Sequence, residues 1–237
     1  MSFFRTLIRF TSDATALEKI LRLLQSICQI LAAYSLSLED AAPWLHLRAQ
    51  FVLGRRYFRF FRFLECFAKA NDSFRGVDGV KSLLLVGKWS FLGGYMFLES
   101  VTILDAMVYW PTPLARTCML EGNKFWFYSL ICSILGGLLQ FVDVAARTHD
   151  VKGMDGDEQK SGNESSSERE GKDKQSLDLD RGKKMDTIKR KLVIDGLDLL
   201  SPGFVTGWIS TSASVVGFSS VLSTLLSSKE IWDRLKD

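Results

Sequence analysis

Two apolar segments in the C-terminal half of this 237-residue chain are long enough to cross a membrane, and they constrain its fold more than any other feature. Residues 125–142 contain no charged side chain and begin with the run Phe-Trp-Phe-Tyr, which is typical of a helix that enters the headgroup region. Residues 199–228 also lack charge and form the longest apolar segment. Because about 20 apolar residues in a helix span the hydrocarbon core, both segments are predicted to be membrane-spanning helices.

A third segment, residues 83–104, is apolar but carries Lys88 and Glu99. A charge at the centre of a bilayer costs about 2.5–3.5 kcal/mol on insertion scales, so this segment either lies in the interface or packs against other helices. The sequence therefore predicts two or three spanning helices. Two crossings place both ends of the chain on one side of the membrane, whereas three place them on opposite sides.

The N-terminal region, residues 1–82, is predicted to form amphipathic helices. Apolar residues recur at i, i+3 and i+4 from Leu17 to Leu31, and candidate N-cap residues stand before them at positions 11–13. The region holds 12 lysines and arginines against 7 acidic residues. This basic excess favours contact with an acidic membrane surface.

One helix of this region, predicted over residues 46–70, separates its charges from its aromatic rings. At about 100° per residue, its basic side chains other than Arg56 form one narrow stripe, and aromatic side chains cover most of the remaining surface. Such a helix is suited to lie in a lipid surface, where each cation adds about 1 kcal/mol of attraction to an anionic leaflet and the rings expand that leaflet, which favours curvature. The predicted lipid-binding residues are Arg48, Arg55, Arg56, Arg59, Arg62, Lys69, Phe58, Phe60, Phe61, Phe63 and Phe67.

Two other interpretations fit the same pattern. An ordinary core helix whose arginine side chains extend to the protein surface has the same periodicity. A nucleic-acid-binding helix also interleaves arginine and phenylalanine, but the membrane-like remainder of the chain argues against it, so we expect no nucleic acid partner.

Residues 148–190 are the polar exception in an apolar chain. They include the run KSGNESSSEREGKDKQ, which mixes charges and has almost no aromatic or branched side chains. Such a segment cannot bury enough apolar surface to fold, so a disordered loop is predicted. The chain then divides into residues 1–82, residues 83–147, this loop, and residues 191–237 with the last apolar segment.

Small residues recur at spacings of three and four in that last apolar segment, which allows helix backbones to approach closely. The sequence leaves open whether the partner is another helix of the same chain or a second copy. The residues are Gly203, Gly207, Ser210, Ser214 and Gly217.

The sequence contains no motif that indicates catalysis or a cofactor. Its two histidines, His46 and His149, have no partner motif, and its four cysteines stand singly without metal-ligand spacing. A phosphate-binding glycine loop and a nucleophile elbow are absent as well. We therefore expect a protein that is not an enzyme and binds no cofactor or metal.

Three segments together resemble the peroxin-11 family. The first, FTSDATALEKILRLLQSICQIL, is similar to the start of the family's domain, LGRRYFRFFRFLECF resembles its basic amphipathic helix, and TILDAMVYW resembles its apolar–Asp–aromatic segment. The resemblance implies a peroxisomal membrane protein that tubulates the organelle before fission, self-associates, and acts upstream of a dynamin-related GTPase and its adaptors. It also implies that the lipid-binding role falls on Arg55, Arg56, Arg59 and Arg62 and their phenylalanine neighbours.

These observations predict an all-α protein of the peroxisomal membrane with N-terminal amphipathic helices. Its expected function is to bind anionic lipids and to curve and elongate the membrane, as a homo-oligomer, which promotes peroxisome proliferation and fission. The alternative is a pore for small metabolites, because some members of the family are proposed to form one.

Overall fold

The computed structural model describes residues 3–76, 79–107, 113–154 and 167–236, and these ranges contain helices and no strand. The predicted all-α class is therefore confirmed for this part of the chain. The helices are α1 (Phe3–Ser12), α2 (Ala14–Ala33), α3 (Leu38–Arg59), α4 (Arg62–Gly76), α5 (Val80–Val101), α6 (Ile103–Ala106), α7 (Ala115–Met154), α8 (Ser167–Thr206) and α9 (Ala213–Lys236).

Capping side chains fix where α2 and α3 begin. The Asp13 carboxylate accepts a hydrogen bond from the backbone N–H of Ala16 at 2.9 Å, and the Ser37 hydroxyl accepts one from the N–H of Asp40 at 3.1 Å. Each bond satisfies a donor that has no partner within the first helical turn. Of the candidate caps at positions 11–13, the residue that caps α2 is therefore Asp13.

The long helices pack side by side in a closed ring. Helix α2 packs on α3, α3 leads into α4, and α4 packs on α5. The ring continues through α7, α8 and α9, and α9 returns to α2. Each of these helices therefore turns one face toward a common interior.

The interior of the ring contains many polar and charged side chains, and much of its exterior is apolar. Buried side chains include Glu18, Arg22, Arg59 and Glu99, together with many serines and threonines, whereas large apolar side chains are exposed on every long helix. A water-soluble bundle has the opposite arrangement, because exposed apolar surface is costly in water. The distribution fits a protein whose surroundings are lipid.

Helix α7 contains the candidate membrane span. Within residues 115–146, the most apolar 18-residue window has a mean hydropathy of 1.8, and only 22% of that window is buried against other helices. The span predicted at residues 125–142 lies within this stretch. Among the described residues, α7 alone is long and apolar enough to cross a membrane, and residues 83–104, which fall mostly in α5, do not meet that requirement.

The prediction of one spanning helix over residues 199–228 is wrong. Helix α8 ends at Thr206 and α9 begins at Ala213, and the two helices pack against each other. Gly207 ends α8 with φ of +74°, a left-handed conformation that glycine adopts without steric cost. The sequence reading treated this glycine as one member of a small-residue row and missed its role as a helix terminator.

The prediction of a disordered loop over residues 148–190 is also wrong where the structure describes the chain. Helix α7 continues to Met154, and α8 already begins at Ser167, while residues 155–166 lie outside the described residues. In the helical part from Ser167 to Arg190, 13 of 24 residues are lysine, glutamate, arginine, glutamine or leucine, all of which have high helix propensity. Its polarity keeps it from forming a core but does not prevent it from forming a helix.

The small residue Gly217 allows α9 to lie close to α2. A β-carbon at Gly217 would stand 2.6 Å from Cγ1 of Ile30 and 3.4 Å from the carbonyl oxygen of Ser26. The hydroxyl of Ser26 also donates to the hydroxyl of Ser220 at 2.8 Å. Gly217 therefore serves a contact within the chain.

The other four small residues do not continue that contact. A β-carbon at Gly203 would overlap Ile209 in the α8–α9 connection, at 2.4 Å from its Cδ1. Gly207 ends α8, and Ser210 lies in the same connection. Ser214 lies at the start of α9, where its hydroxyl is 2.9 Å from that of Ser212.

Replacing Gly217 with alanine should lower the free energy of unfolding by about 1–3 kcal/mol, because the added methyl group overpacks the α2–α9 contact. The matched control is Gly196→Ala in α8, where a β-carbon would meet nothing within 4 Å. Alanine should be neutral there, or stabilising by up to about 1 kcal/mol through its helix propensity. Thermal unfolding in detergent, followed by circular dichroism, measures both, and equal midpoints for the two variants would contradict the packing.

Candidate functional site

Helices α3 and α4 are separated by a break at Phe60 and Phe61, so the prediction of one continuous helix over residues 46–70 is wrong. The carbonyl oxygen of Phe60 accepts a hydrogen bond from the Ser100 hydroxyl of α5 at 2.5 Å. The backbone N–H of Phe60 reaches only three residues back, to Tyr57, at 3.4 Å. These bonds replace part of the regular helical ladder, because a neighbouring helix supplies a donor that the sequence pattern does not reveal.

Side chains on both sides of this break form an exposed apolar surface. Phe58 is 47% exposed, Phe61 is 66% exposed and Phe67 is 44% exposed. Tyr57 and Leu64 are exposed beside them. We call these five residues the aromatic face.

The two other phenylalanines of the predicted lipid-binding set are half-buried. The ring of Phe60 contacts that of Phe61 with centroids 4.6 Å apart, and the ring of Phe63 packs edge-on against Phe97 of α5 at 5.5 Å. Phe60 therefore packs against a member of the aromatic face, and Phe63 packs the same segment against α5.

Three arginines that were expected on a lipid surface lie inside the ring instead. The Nε atom of Arg55 is 2.8 Å from the Glu18 carboxylate, and Arg59 lies 2.8 Å from the Glu99 carboxylate. Arg56 is buried as well, 3.7 Å from the same oxygen of Glu99. The prediction that these arginines lie at a lipid surface is wrong. They are buried because α2 and α5 each supply a carboxylate, and a buried cation needs such a partner.

The remaining basic residues of the predicted set lie nearer the surface. Arg48 is half-buried, and its Nε donates to the side-chain oxygen of Gln29 at 3.2 Å. Arg62 and Lys69 are exposed in α4, and Lys69 lies 2.5 Å from Glu65. Arg62 and Lys69 are therefore the members of the predicted basic set that are exposed in the same segment as the aromatic face.

A further ion pair joins three helices at the far side of the interior. Arg22 of α2 contacts Asp198 of α8 through both guanidinium amines, at 3.2 and 2.5 Å, and Ser223 of α9 donates a hydrogen bond to the same carboxylate. A bidentate arginine–carboxylate pair is directional as well as strong. It fixes the relative positions of the three helices.

The buried carboxylate of Glu18 is ionised at neutral pH. Burial alone would raise its pKa, but the adjacent guanidinium groups of Arg55 and Arg59 outweigh that effect and lower the pKa to about 2. Glu18 and the arginines beside it therefore form charged pairs inside the ring.

A cavity of about 220 Å³ lies at the centre of the ring, where α2, α3, α4, α5, α7 and α8 meet. Its wall contains seven basic and four acidic residues, along with the aromatic rings of Trp89, Tyr95 and Trp126. The basic residues are Lys19, Arg22, Arg55, Arg59, Arg62, Lys69 and Lys88, and the acidic ones are Glu18, Glu65, Asp195 and Asp198.

Two further cavities continue from the central one along α5, α7 and α8. A narrow cavity of about 20 Å³ shares Lys88 and Ser133 with it. A larger one of about 510 Å³ shares Lys81 and Gln140 with the narrow cavity. Polar side chains thus line a series of adjoining spaces from the ring centre to the region of α8 around Arg181.

The sequence reading missed this interior although two acidic residues pointed to it. Glu99 is a charged residue within the apolar segment at residues 83–104. Asp198 immediately precedes the apolar segment at residues 199–228. Isolated acids in such positions are seldom tolerated without a buried partner.

Among the described residues no cluster of three or more potential metal ligands is present.

Comparison with known proteins places the chain in context. The sequence profile of peroxisomal biogenesis factor 11 matches residues 4–232. Among curated proteins, the chain is 26% identical over 234 residues to the peroxisomal membrane protein PMP27 of Saccharomyces cerevisiae, and the alignment covers 95% of this chain and 92% of that protein. No solved structure matches the chain significantly.

Proposed function

The chain belongs to the peroxisomal biogenesis factor 11 family, and on that premise we propose that it curves and elongates the peroxisomal membrane by inserting the aromatic face into one leaflet. It is a peroxisomal membrane protein that takes part in peroxisome biogenesis. The insertion mechanism is the part that we infer from the geometry of α3 and α4.

The observation that carries the proposal is the exposure of the aromatic face beside two basic side chains. A phenylalanine side chain buries about 150–250 Å² when it leaves water, so a half-exposed ring gains about 2 kcal/mol on entering an apolar phase. Arg62 and Lys69 are exposed in the same segment and can meet lipid phosphates. Rings and cations together suit the boundary between headgroups and acyl chains.

Curvature follows from the depth at which the rings lie. Side chains that enter only the upper part of one leaflet expand its area relative to the other leaflet. The bilayer relieves this difference by bending, and many copies acting together extend the bend into a tubule. Self-association would concentrate the effect, and a dynamin-related GTPase with its adaptors would then divide the tubule.

The buried arginines have a supporting role in this mechanism. Arg55 and Arg59 tie α3 to α2 and α5 through Glu18 and Glu99. Their ion pairs hold the helix in the ring, so the aromatic face is presented in a fixed orientation. A rigid wedge loses less conformational entropy on insertion than a mobile peptide does.

Purified full-length protein added to vesicles tests the proposal directly. We expect tubules on vesicles that contain phosphatidylserine and fewer on vesicles of phosphatidylcholine alone, because Arg62 and Lys69 favour an anionic surface. Electron microscopy measures tubule length in both. Spherical anionic vesicles that bind the protein without changing shape would contradict the mechanism.

A pore for small metabolites is the second candidate function, and the adjoining polar cavities favour it. Polar side chains along adjoining spaces are what a pathway for small solutes requires. The narrow space at Lys88 and Ser133 would limit passage in this conformation. Flux of a small solute from proteoliposomes supports a pore, whereas tubulation without flux supports the membrane-shaping function alone.

A further inference from the structure

Three cations in the wall of the central cavity do not form a direct ion pair with any acid of the wall. Among the described residues, the carboxylates of Glu18, Glu65 and Asp198 pair with other basic residues, and none forms an ion pair with Lys19, Arg62 or Lys88. The fourth acid of the wall, Asp195, accepts a hydrogen bond from the hydroxyl of Ser133 at 2.5 Å.

The excess of positive charge persists when the next layer of residues is included. Glu99 stands behind the wall and neutralises one guanidinium, that of Arg59, at 2.8 Å. The Nε atom of Arg59 is nevertheless buried without a hydrogen-bond partner. A partly buried cavity with surplus cations and an unsatisfied guanidinium donor is a favourable environment for an anion.

The cavity also offers apolar contacts. The amines of Lys69 and Lys88 lie 4.7 and 5.1 Å from the ring centroid of Trp89, and the ring of Trp126 stacks on Tyr95 at 5.3 Å. A volume of about 220 Å³ exceeds the space needed for one water molecule many times over. The wall therefore suits a ligand that has both a charged group and an apolar body.

We propose that the central cavity binds an oxyanion attached to an apolar body, with the oxyanion held by Lys19, Lys88 and Arg62 and the body against Trp89. These residues come from α2, α5 and α4, so the ligand would bridge three helices of the ring. A soluble organic acid and an anionic lipid both have this chemistry. The inference does not depend on membrane curvature by the aromatic face.

The surroundings of Lys19 make its charge sensitive to a bound anion. Burial, together with the nearby guanidinium groups of Arg22 and Arg55, lowers its pKa to about 8, although Glu18 and Asp198 oppose this shift. A bound oxyanion would favour the charged amine and raise the pKa again. Binding should accordingly weaken as the pH rises through about 8.

Isothermal titration calorimetry on the full chain in phosphatidylcholine nanodiscs tests the proposal. The probes are benzoate, inorganic phosphate and benzyl alcohol, which separate the contributions of the oxyanion and the apolar body. Benzoate should bind more tightly than either other probe. Lys19→Gln with Lys88→Gln should weaken benzoate binding tenfold or more, whereas the exposed control Lys229→Gln should leave it unchanged.

Two further arms complete the test. Lys19→Arg with Lys88→Arg keeps the charge and should retain most of the affinity, which separates loss of charge from loss of fold. Nanodiscs that contain phosphatidic acid should block benzoate if a lipid is the natural ligand, and should leave it unaffected if a soluble acid is. Equal binding of benzoate and benzyl alcohol, or benzoate affinity unchanged in the glutamine variant, would overturn the proposal.

Discussion

Replacing Glu99 with glutamine is expected to lower the free energy of unfolding by about 3–5 kcal/mol, one of the largest effects of any single substitution in this chain. The Glu99 carboxylate is buried and lies 2.8 Å from Arg59 and 3.7 Å from Arg56. Glutamine retains the shape but removes the charge, which leaves two guanidinium groups inside the ring without an acid. Thermal unfolding of the purified protein in detergent measures the loss.

The matched control is Glu121→Gln in α7. Glu121 pairs with Lys124 at 2.6 Å, but both side chains are substantially exposed, at 45% and 32%. A surface pair of this kind contributes about 0–1 kcal/mol, so the control should unfold close to the parent protein. If Glu99→Gln were no more harmful than Glu121→Gln, the charged interior would not stabilise the ring as the structure indicates.

The sequence predicted well those features that depend on neighbours along the chain. Helical periodicity from Leu17 to Leu31 and the uncharged run at residues 125–142 are local properties, and both segments are helical as expected. The same local reasoning failed at Gly207, because a glycine can either belong to a small-residue packing row or end a helix. A glycine in a small-residue row and a glycine that ends a helix look alike until the path of the chain is known.

The interior of the ring could not be predicted in the same way. Arg55 and Glu18 are separated by 37 residues, and Arg59 and Glu99 by 40. A single sequence does not show which helices pack together, so the basic stripe was assigned to the nearest plausible counter-charge, the lipid phosphates. The core-helix interpretation agrees better than the lipid-surface interpretation with the buried positions of Arg55 and Arg59. The aromatic side of the helix nevertheless remains at the surface.

The second large effect is expected when the aromatic face loses its rings. Phe58 and Phe61 are 47% and 66% exposed, so Phe58→Ser with Phe61→Ser should change the thermal stability little. About 2 kcal/mol per ring would be lost from insertion, or about 4 kcal/mol in total. This corresponds to roughly a thousandfold weaker insertion of the wedge, so elongation should cease while the protein stays in the membrane.

The control for that variant removes two equally exposed rings from other helices. Phe4 in α1 and Phe218 in α9 are 68% and 53% exposed, and Phe4→Ser with Phe218→Ser removes the same amount of aromatic surface. Elongation should continue in this control. If both double variants lost it equally, general hydrophobicity rather than the aromatic face would be responsible.

Tubule length on phosphatidylserine vesicles, compared among the parent protein and the two double variants at equal membrane-bound amounts, is the most direct test of the membrane-shaping mechanism. The mechanism predicts long tubules with the parent and with Phe4→Ser/Phe218→Ser, and spherical vesicles with Phe58→Ser/Phe61→Ser. Tubules of undiminished length with Phe58→Ser/Phe61→Ser would contradict it.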